Sequence, residues 1–295
     1  MSERIDRWPT GAPCWADIMV SDLDRSMDFY ASVLGWRFTP SDPEYGGYCN
    51  ALVDGEPVAG MSPALPGMED DPHAWAVYLA SDDIVATGRA AVAAGARQLF
   101  EPMEVGRFGS MGVWIDPTGA AFGVWQPREH TGFSLIGAHG TVAWCDLLTS
   151  DQAGAERFYA EVFGYTYEDI GTRHEAYAVF TIPGMDRSAG GIGVAAEDVD
   201  HLQEAPPLWW VCFEVEDADT AAERVVAAGG TLVQEPEEFG YGELVFAAGP
   251  DGERFAMTGP SSEDRVGEDR AEEDRVGAVG EDTGDDVTGE VAGRS

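Results

Sequence analysis

The chain has 295 residues, of which 44% are hydrophobic and 11% aromatic, enough to bury a core and to exclude wholesale disorder. Its 54 acidic residues outnumber 17 basic ones, and the formal net charge of −37 disfavours binding to nucleic-acid phosphates or to an anionic membrane surface. At about 150 residues per domain, this length predicts two domains.

The cysteine and hydropathy patterns predict a cytoplasmic protein. No run of 18 or more apolar residues occurs, and no apolar segment follows the first residues, so neither a membrane span nor an ordinary signal peptide is predicted. The cysteines lie far apart without a C-x-x-C motif, so we expect buried thiols rather than disulfides or a zinc site. They are Cys14, Cys49, Cys145 and Cys212.

The acidic excess extends over the whole chain. Residues 261–295 hold 12 acidic residues and 4 arginines, which leaves 42 acidic residues and 13 arginines in the first 260. A salt-rich cytoplasm favours such a surface, because salt screens its self-repulsion. A high-GC genome that writes arginine for lysine, together with an acidic tail, is the alternative, and the sequence leaves both open.

A fourfold repeat organises the first 260 residues. Trp15 is followed seven residues later by Asp22 and twenty residues later by Gly35. Three further sets keep these offsets: Trp75 with Asp82 and Gly95, Trp144 with Asp151 and Gly164, and Trp210 with Asp217 and Gly230. Four copies at one pair of offsets predict four copies of one structural unit.

Each copy predicts a strand, a helix and three further strands. The alternating or apolar residues after each tryptophan are typical of a strand. The aspartate is typical of a helix N-cap, and the glycine of the left-handed residue that ends a helix. Turn sequences at 116–119 and 249–252 separate the last two strands of units two and four. The predicted fold class is α+β, built from four βαβββ units.

The four units pair into two predicted modules. The first module spans 12–127, the linker 128–138, and the second module 139–260. After Pro260 the aromatic residues cease and charged pieces such as Glu-Asp-Arg-Val-Gly recur. We therefore predict that 261–295 is a disordered acidic tail.

Several motifs within these units point to a known family. They are the segment Asp22, Phe29-Tyr30 and Gly35-Trp36, its copy Asp151, Phe158-Tyr159 and Gly164-Tyr165, and the Asp-Pro-Thr-Gly turn. Together with the paired units they resemble the vicinal oxygen chelate superfamily, which includes glyoxalase I, extradiol dioxygenases and bleomycin-resistance proteins. The Pro13-Cys-Trp15 opening is similar to a two-module glyoxalase-like or hydroxylase-like subgroup. The resemblance implies two concave mixed sheets, but one such scaffold hosts many reactions.

The resemblance also implies positions for metal ligands, and in this sequence the residues at these positions cannot bind a metal. Metal-using members carry His or Gln at the first inward position of each opening strand, and Glu four residues after the glycine of the turn. In this sequence the first kind of position is predicted to hold a tryptophan in every unit, and the second kind holds Gly123 or Ala256. The tryptophans are Trp15, Trp75, Trp144 and Trp210. An indole N–H is only a donor, and Gly or Ala has no ligand atom. The five histidines lie elsewhere, in predicted turns or near the linker: His73, His130, His139, His174 and His201. We predict neither a metal nor another cofactor.

Two aspartates are the candidate catalytic residues. Strand alternation places Asp17 beside Trp15, and Asp146 beside Trp144, on the inward face of the sheet. Desolvation against indole raises a carboxyl pKa toward the range useful for general acid–base catalysis. The alternative, a structural role with hydrogen bonds to backbone at the mouth of the sheet, stays open.

Aromatic side chains and one further carboxylate are candidates for binding a flat ligand. They are Trp15, Tyr48, Trp75, Trp144, Tyr177, Trp210 and Glu214. Indoles repeated at one structural position are also expected from symmetric core packing, and we expect this of at least two of them.

The sequence therefore predicts a metal-free cavity that binds a small aromatic or carbonyl-bearing molecule. Whether the protein only binds this molecule or also transforms it by acid–base chemistry is left open. The alternatives are resistance-type binding without catalysis, an interaction protein in which one module supports the other, and a metal-dependent lyase or dioxygenase. In the last case displaced ligands such as Asp146, His174 and Glu214 would hold the metal. A small molecule is the expected partner, a homodimer is left open, and no nucleic-acid or membrane partner is expected.

Overall fold

The computed structural model describes residues 3–5, 7–68, 73–171, 176–194, 206–239 and 242–261. Within these ranges the chain forms two eight-stranded mixed sheets, four α-helices, and a short pairing of β1 (Glu3–Arg4) with β10 (Leu135–Ile136). Apart from Ser261, the predicted acidic tail lies outside the described residues. None of the described helices is long and apolar enough to cross a bilayer.

The first sheet and its helices come from the first module. The elements are β2 (Pro13–Val20), α1 (Leu23–Leu34), β3 (Arg37–Phe38), β4 (Cys49–Val53), β5 (Glu56–Pro63), β6 (Ala76–Ala80), α2 (Ile84–Ala93), β7 (Arg97–Val105), β8 (Gly109–Ile115) and β9 (Ala121–Pro127). The strand order is β3-β4-β5-β2-β6-β9-β8-β7, in which the opening strands β2 and β6 are antiparallel neighbours at the centre.

The second sheet repeats this arrangement. Its elements are β11 (Val142–Leu148), α3 (Gln152–Phe163), β12 (Thr166–Asp169), β13 (Tyr177–Thr181), β14 (Gly190–Gly193), β15 (Leu208–Glu214), α4 (Ala218–Ala227), β16 (Thr231–Phe239), β17 (Gly242–Ala248) and β18 (Arg254–Gly259). The order β12-β13-β14-β11-β15-β18-β17-β16 matches that of the first sheet. The predicted α+β fold of four βαβββ units is confirmed.

The helix N-caps require one correction. Asp22, Asp151 and Asp217 each accept a backbone N–H of the first helical turn, as predicted. In the second unit the cap is Asp83 rather than Asp82, and its carboxylate accepts from two backbone N–H groups of α2. Asp82 is exposed and pairs with Arg7 at 2.6 Å. Two adjacent aspartates offer the same chemistry, so the repeat offset alone selected the wrong one.

The end of the fourth helix requires a second correction. Gly229 adopts the left-handed conformation, with φ of 89°, whereas Gly230 packs close to Phe29 and Val225. The helices α2 and α4 have 10 residues, whereas α1 and α3 have 12. Because the fourth helix is shorter than the first, its left-handed glycine comes one residue earlier than the repeat offset predicts. In the corrected alignment the structural counterpart of Trp75 is Trp209, not Trp210.

The helix-bearing faces of the two sheets share an aromatic core. The ring of Phe213, from the second module, lies 5.3 Å from that of Trp36 and 5.2 Å from that of Trp75, both from the first module. Two buried tyrosines cross between modules: Tyr30 donates to Glu253 at 3.0 Å, and Tyr159 donates to Asp116 at 3.0 Å. The two modules therefore pack as one folded body.

Candidate functional site

Strand register gathers the first set of polar and aromatic residues on the face of the first sheet that points away from α1 and α2. Trp15 and Asp17 lie on the same face of β2, and Tyr78 on β6 is directly opposite Trp15. Tyr48, which precedes β4, reaches this face and contacts both Trp15 and Asp17. We call Trp15, Asp17, Tyr48 and Tyr78 the first cluster.

In the first cluster a carboxyl group is held by two phenols. Tyr48 Oη accepts from Trp15 Nε1 at 2.9 Å and donates to Asp17 Oδ2 at 3.4 Å. Desolvation raises the pKa of Asp17 to about 7, although hydrogen bonds from Tyr78 and Tyr48 favour the charged form. Asp17 is therefore divided between its two protonation states near neutral pH.

The second module has a corresponding arrangement with shorter distances. Asp146 Oδ1 accepts from Tyr177 Oη at 2.8 Å and from Trp144 Nε1 at 2.9 Å, while Trp144 Nε1 also lies 3.0 Å from Tyr177 Oη. Desolvation raises the pKa of Asp146 to about 6, and the bonds from Tyr177 and Trp144 limit the shift. Trp210 is opposite Asp146 in the β11–β15 register. We call Trp144, Asp146, Tyr177 and Trp210 the second cluster.

Two strand glycines make room for these contacts, and sequence reasoning missed both. Gly60 on β5 is paired with Asp17, and Gly191 on β14 is paired with Asp146. A Cβ atom at Gly60 would collide with the hydroxyl of Tyr48, and one at Gly191 with the hydroxyl of Tyr177. The available signal was a glycine at the same position of two equivalent strands. A glycine inside a strand often marks a place where another group approaches the backbone closely.

The linker covers the first cluster. The ring of His130 meets Trp15 edge to face at 4.2 Å, and Phe133 lies 5.6 Å from it. The backbone carbonyl of His130 accepts from Trp125 Nε1 at 2.8 Å, which fixes the linker there. Burial lowers the pKa of His130 to about 4, so its ring is neutral at physiological pH. His130 is thus partly buried against the indole of Trp15.

The structure separates Trp75 from the other predicted ligand-binding residues. Its indole lies in the core between the modules, where Nε1 donates to Tyr30 at 3.2 Å and the ring contacts Trp36 and Phe213. Trp75 therefore lies on the opposite face of the sheet from Asp17, and its predicted place in a ligand cavity is wrong. The cause is that α2 begins after Asp83 and not after Asp82, so every residue of this unit is displaced by one position from the predicted repeat.

The last two predicted residues lie on β15. Trp210 is 3% exposed, packs edge to face on Phe246 at 5.3 Å, and has an indole N–H without a hydrogen-bond partner among the described residues. Glu214 ends the strand, is partly buried, and has its pKa raised by desolvation. Trp210 and Glu214 share the face of Cys212, which pairs with Trp144.

The donor set of these faces does not fit a metal ion. The first inward residues of the four opening strands are Trp15, Ala76, Trp144 and Trp210 after the alignment is corrected. At the predicted glutamate positions, Gly123 pairs with Tyr78 and Ala256 with Cys212. In the described part of the chain no three His, Cys, Asp or Glu side chains cluster as metal ligands do. His174, needed for the displaced-ligand alternative, lies outside the described residues.

Comparison with known proteins shows the family. The model of the Glyoxalase/Bleomycin resistance protein/Dioxygenase superfamily matches residues 14–124 and 141–257, one match in each module. The chain belongs to this superfamily. The predicted resemblance is thus confirmed, and the chain is a tandem member related to glyoxalase-like and dioxygenase proteins.

Curated relatives cover nearly the same length. CFP32 of Mycobacterium tuberculosis, named as a glyoxylase, is 32% identical over 256 residues, which is 85% of this chain and 95% of that protein. The anthracycline biosynthesis protein DnrV of Streptomyces peucetius is 32% identical over 267 residues, 86% of this chain and 94% of DnrV.

Solved superfamily structures share the fold. The Mn(II)-bound glyoxalase of Novosphingobium aromaticivorans has a TM-score of 0.61 at 17% identity, covering 85% of this chain and 83% of its own. The 2,3-dioxygenase LapB of Pseudomonas sp. KL28 has a TM-score of 0.59 at 16% identity, covering 85% and 93%. At such identities the likeness concerns the architecture alone.

Proposed function

We propose that the chain binds a small aromatic or carbonyl-bearing molecule at one of the two clusters. The aspartate of that cluster then removes a proton from the bound molecule and returns one to it, without a metal ion. The observation that carries this proposal is a carboxyl group hydrogen-bonded by tyrosine beside a tryptophan ring in an apolar setting, with its pKa raised to about 7 in Asp17 and about 6 in Asp146. A base with a pKa near the working pH combines a useful ionised fraction with useful basicity.

The composition of the clusters supports a flat, uncharged ligand. Indole and phenol rings supply apolar area, and the few polar groups among them can fix a ligand's orientation. An anionic ligand is disfavoured by the net charge of −37. The naming of DnrV for anthracycline biosynthesis favours an aromatic ligand, and that of CFP32 as a glyoxylase favours a carbonyl group.

The proposed step is removal of a proton from the carbon next to a carbonyl group. The ionised aspartate takes the proton, the C–H electron pair moves into an enolate, and the negative charge develops on the carbonyl oxygen. Return of the proton, or of a deuteron from solvent, restores the ketone. The adjacent Tyr48 or Tyr177 hydroxyl holds the aspartate in place and keeps it hydrogen-bonded in its charged form.

The experiment uses 6-acetyl-2-naphthol, a fluorescent compound with an aromatic body and one acetyl group. We expect wild-type protein to bind it and to exchange its acetyl protons for deuterium, measured by fluorescence titration and by proton NMR. Asp17→Asn and Asp146→Asn are made separately. Replacing the active aspartate should slow exchange about 100-fold or more while changing affinity little, because one general base contributes roughly this factor.

Three other outcomes would contradict part or all of this proposal. If wild-type protein does not bind the probe, the ligand class is wrong. If it binds without exchange, the chain is a binding protein of the resistance type and the proton-transfer step is wrong. Asp54→Asn, at an exposed turn, is the matched control; if it slowed exchange as much as either cluster variant, the assignment to the clusters would be wrong.

A further inference from the structure

We infer that the second module alone holds the ligand, with the indole N–H of Trp210 donating to an uncharged carbonyl oxygen beside Asp146. This inference rests on the proposed function and adds which cluster is used and which group of the ligand is recognised. It follows from differences between two clusters that the repeat makes otherwise alike.

The first cluster is closed by the chain itself. Trp15 is 3% exposed, since His130 and Phe133 of the linker cover its ring. Two indoles fasten this segment: Trp125 donates to the carbonyl of His130 at 2.8 Å, and Trp8 to that of Phe133 at 2.9 Å. A ligand entering there would have to displace packed aromatic side chains and break both bonds.

The polar groups of the first cluster are also satisfied internally. The indole N–H of Trp15 donates to Tyr48, and Tyr48 donates to Asp17. Tyr78 hydrogen-bonds the same carboxyl group. A ligand gains little from groups whose partners are already in place.

The second cluster differs in its covering and in one unpaired donor, although Trp144 and Tyr177 both bond Asp146. Trp144 is partly exposed, and among the described residues no aromatic ring packs on it. Trp210 is buried with an N–H that no described residue accepts. Burial of an unpaired donor costs free energy, and unpaired buried groups in proteins commonly mark functional positions. An acceptor atom of a ligand would remove this cost.

Register places this donor next to the carboxyl group. Trp210 and Asp146 are directly opposite on the antiparallel strands β15 and β11, a relation that brings side chains on one face within contact distance. Phe246 packs edge to face on Trp210 and limits its rotation. A carbonyl oxygen bound by Trp210 would thus place the neighbouring carbon near Asp146, as the proposed proton transfer requires. Glu214 on the same face disfavours an anion.

Three tryptophan-to-phenylalanine variants test the inference. Trp210→Phe removes the N–H but keeps a ring against Phe246. Trp209→Phe is the matched control, because this neighbouring indole is equally buried but faces the core, where it donates to Tyr159 at 3.0 Å. Trp15→Phe removes the indole N–H of the first cluster, at the position that corresponds to Trp144. Affinity is measured for 6-acetyl-2-naphthol and for 6-ethyl-2-naphthol, which lacks the carbonyl oxygen.

We expect Trp210→Phe to weaken binding of the acetyl compound about tenfold, the usual effect of one lost hydrogen bond, and binding of the ethyl compound less than twofold. Trp209→Phe and Trp15→Phe should keep both affinities within twofold, even where they lower the melting temperature. Wild-type protein should saturate at one probe per chain, a measurement that needs no variant.

The inference and the proposed function fail in different ways. Saturation at two probes per chain, or a loss of affinity in Trp15→Phe with none in Trp210→Phe, would overturn the inference and leave the proposed function standing. Equal weakening of the acetyl and ethyl compounds by Trp210→Phe would overturn the role of its N–H. A wild-type protein that binds neither compound would overturn the proposed function itself.

Discussion

Replacing Phe213 with alanine should lower the free energy of unfolding by about 3–5 kcal/mol, the range for truncating a fully buried phenylalanine. The side chain is 0% exposed and belongs to the second module, yet Trp36 and Trp75 of the first module surround it. Urea denaturation followed by tryptophan fluorescence measures the change. Because the core is shared, we expect a single transition at lower denaturant concentration.

Phe100→Ala is the control, since the same truncation at a 58% exposed side chain should change the free energy of unfolding by less than about 0.5 kcal/mol. Two separate transitions, with only the later one displaced by Phe213→Ala, would contradict the shared core. A loss below about 1 kcal/mol would contradict the burial of this ring.

Asp17→Asn should make the protein more stable than wild type as the pH rises. The folded-state pKa of Asp17, about 7, lies above its ordinary value of 3.8, so folding favours the neutral acid. Its contribution to stability is therefore fully present below about pH 4 and lost as the pH rises through 7. Each unit of pKa difference corresponds to about 1.4 kcal/mol, so, allowing for partial exposure, the advantage of asparagine should grow by about 2 kcal/mol between pH 5 and pH 8.

The same series separates a functional carboxyl group from a structural one. Asp146→Asn should show a smaller gain that is complete about one pH unit lower, because its pKa is raised only to about 6. A stability advantage of the Asp17→Asn variant that stays constant with pH would refute the raised pKa, and a variant less stable than wild type at pH 8 would favour the structural role.

The sequence predicted the architecture because the repeat carries it. Four tryptophan, aspartate and glycine sets at fixed offsets are enough to place four βαβββ units, and strand alternation is enough to put Asp17 beside Trp15. The same regularity misplaced Trp75. Asp82 and Asp83 are chemically equivalent caps, so only the register of β6 against β2 decides which of them begins α2, and with it which face receives Trp75.

Contacts between distant segments could not be predicted from one sequence. The packing of His130 on Trp15 joins the linker to the first strand, and the hydrogen bond from Tyr30 to Glu253 joins the first unit to the last. Neither pair shares a spacing or a motif. The glycines at 60 and 191 did offer a signal, because they occupy equivalent strands, but their meaning depends on the tyrosine hydroxyls that fill the space.

The proposed chemistry uses a carboxyl group and hydrogen-bond donors of these clusters instead of a bound metal ion. Its most direct test is to equilibrate the protein with Fe(II), Mn(II), Zn(II) or Ni(II), remove loosely bound metal, and measure metal content and 6-acetyl-2-naphthol affinity before and after chelation. We predict less than about one tenth of an equivalent of metal per chain and an affinity that chelation leaves unchanged. One equivalent of retained metal, with binding that disappears on chelation and returns when the metal is restored, would contradict the account.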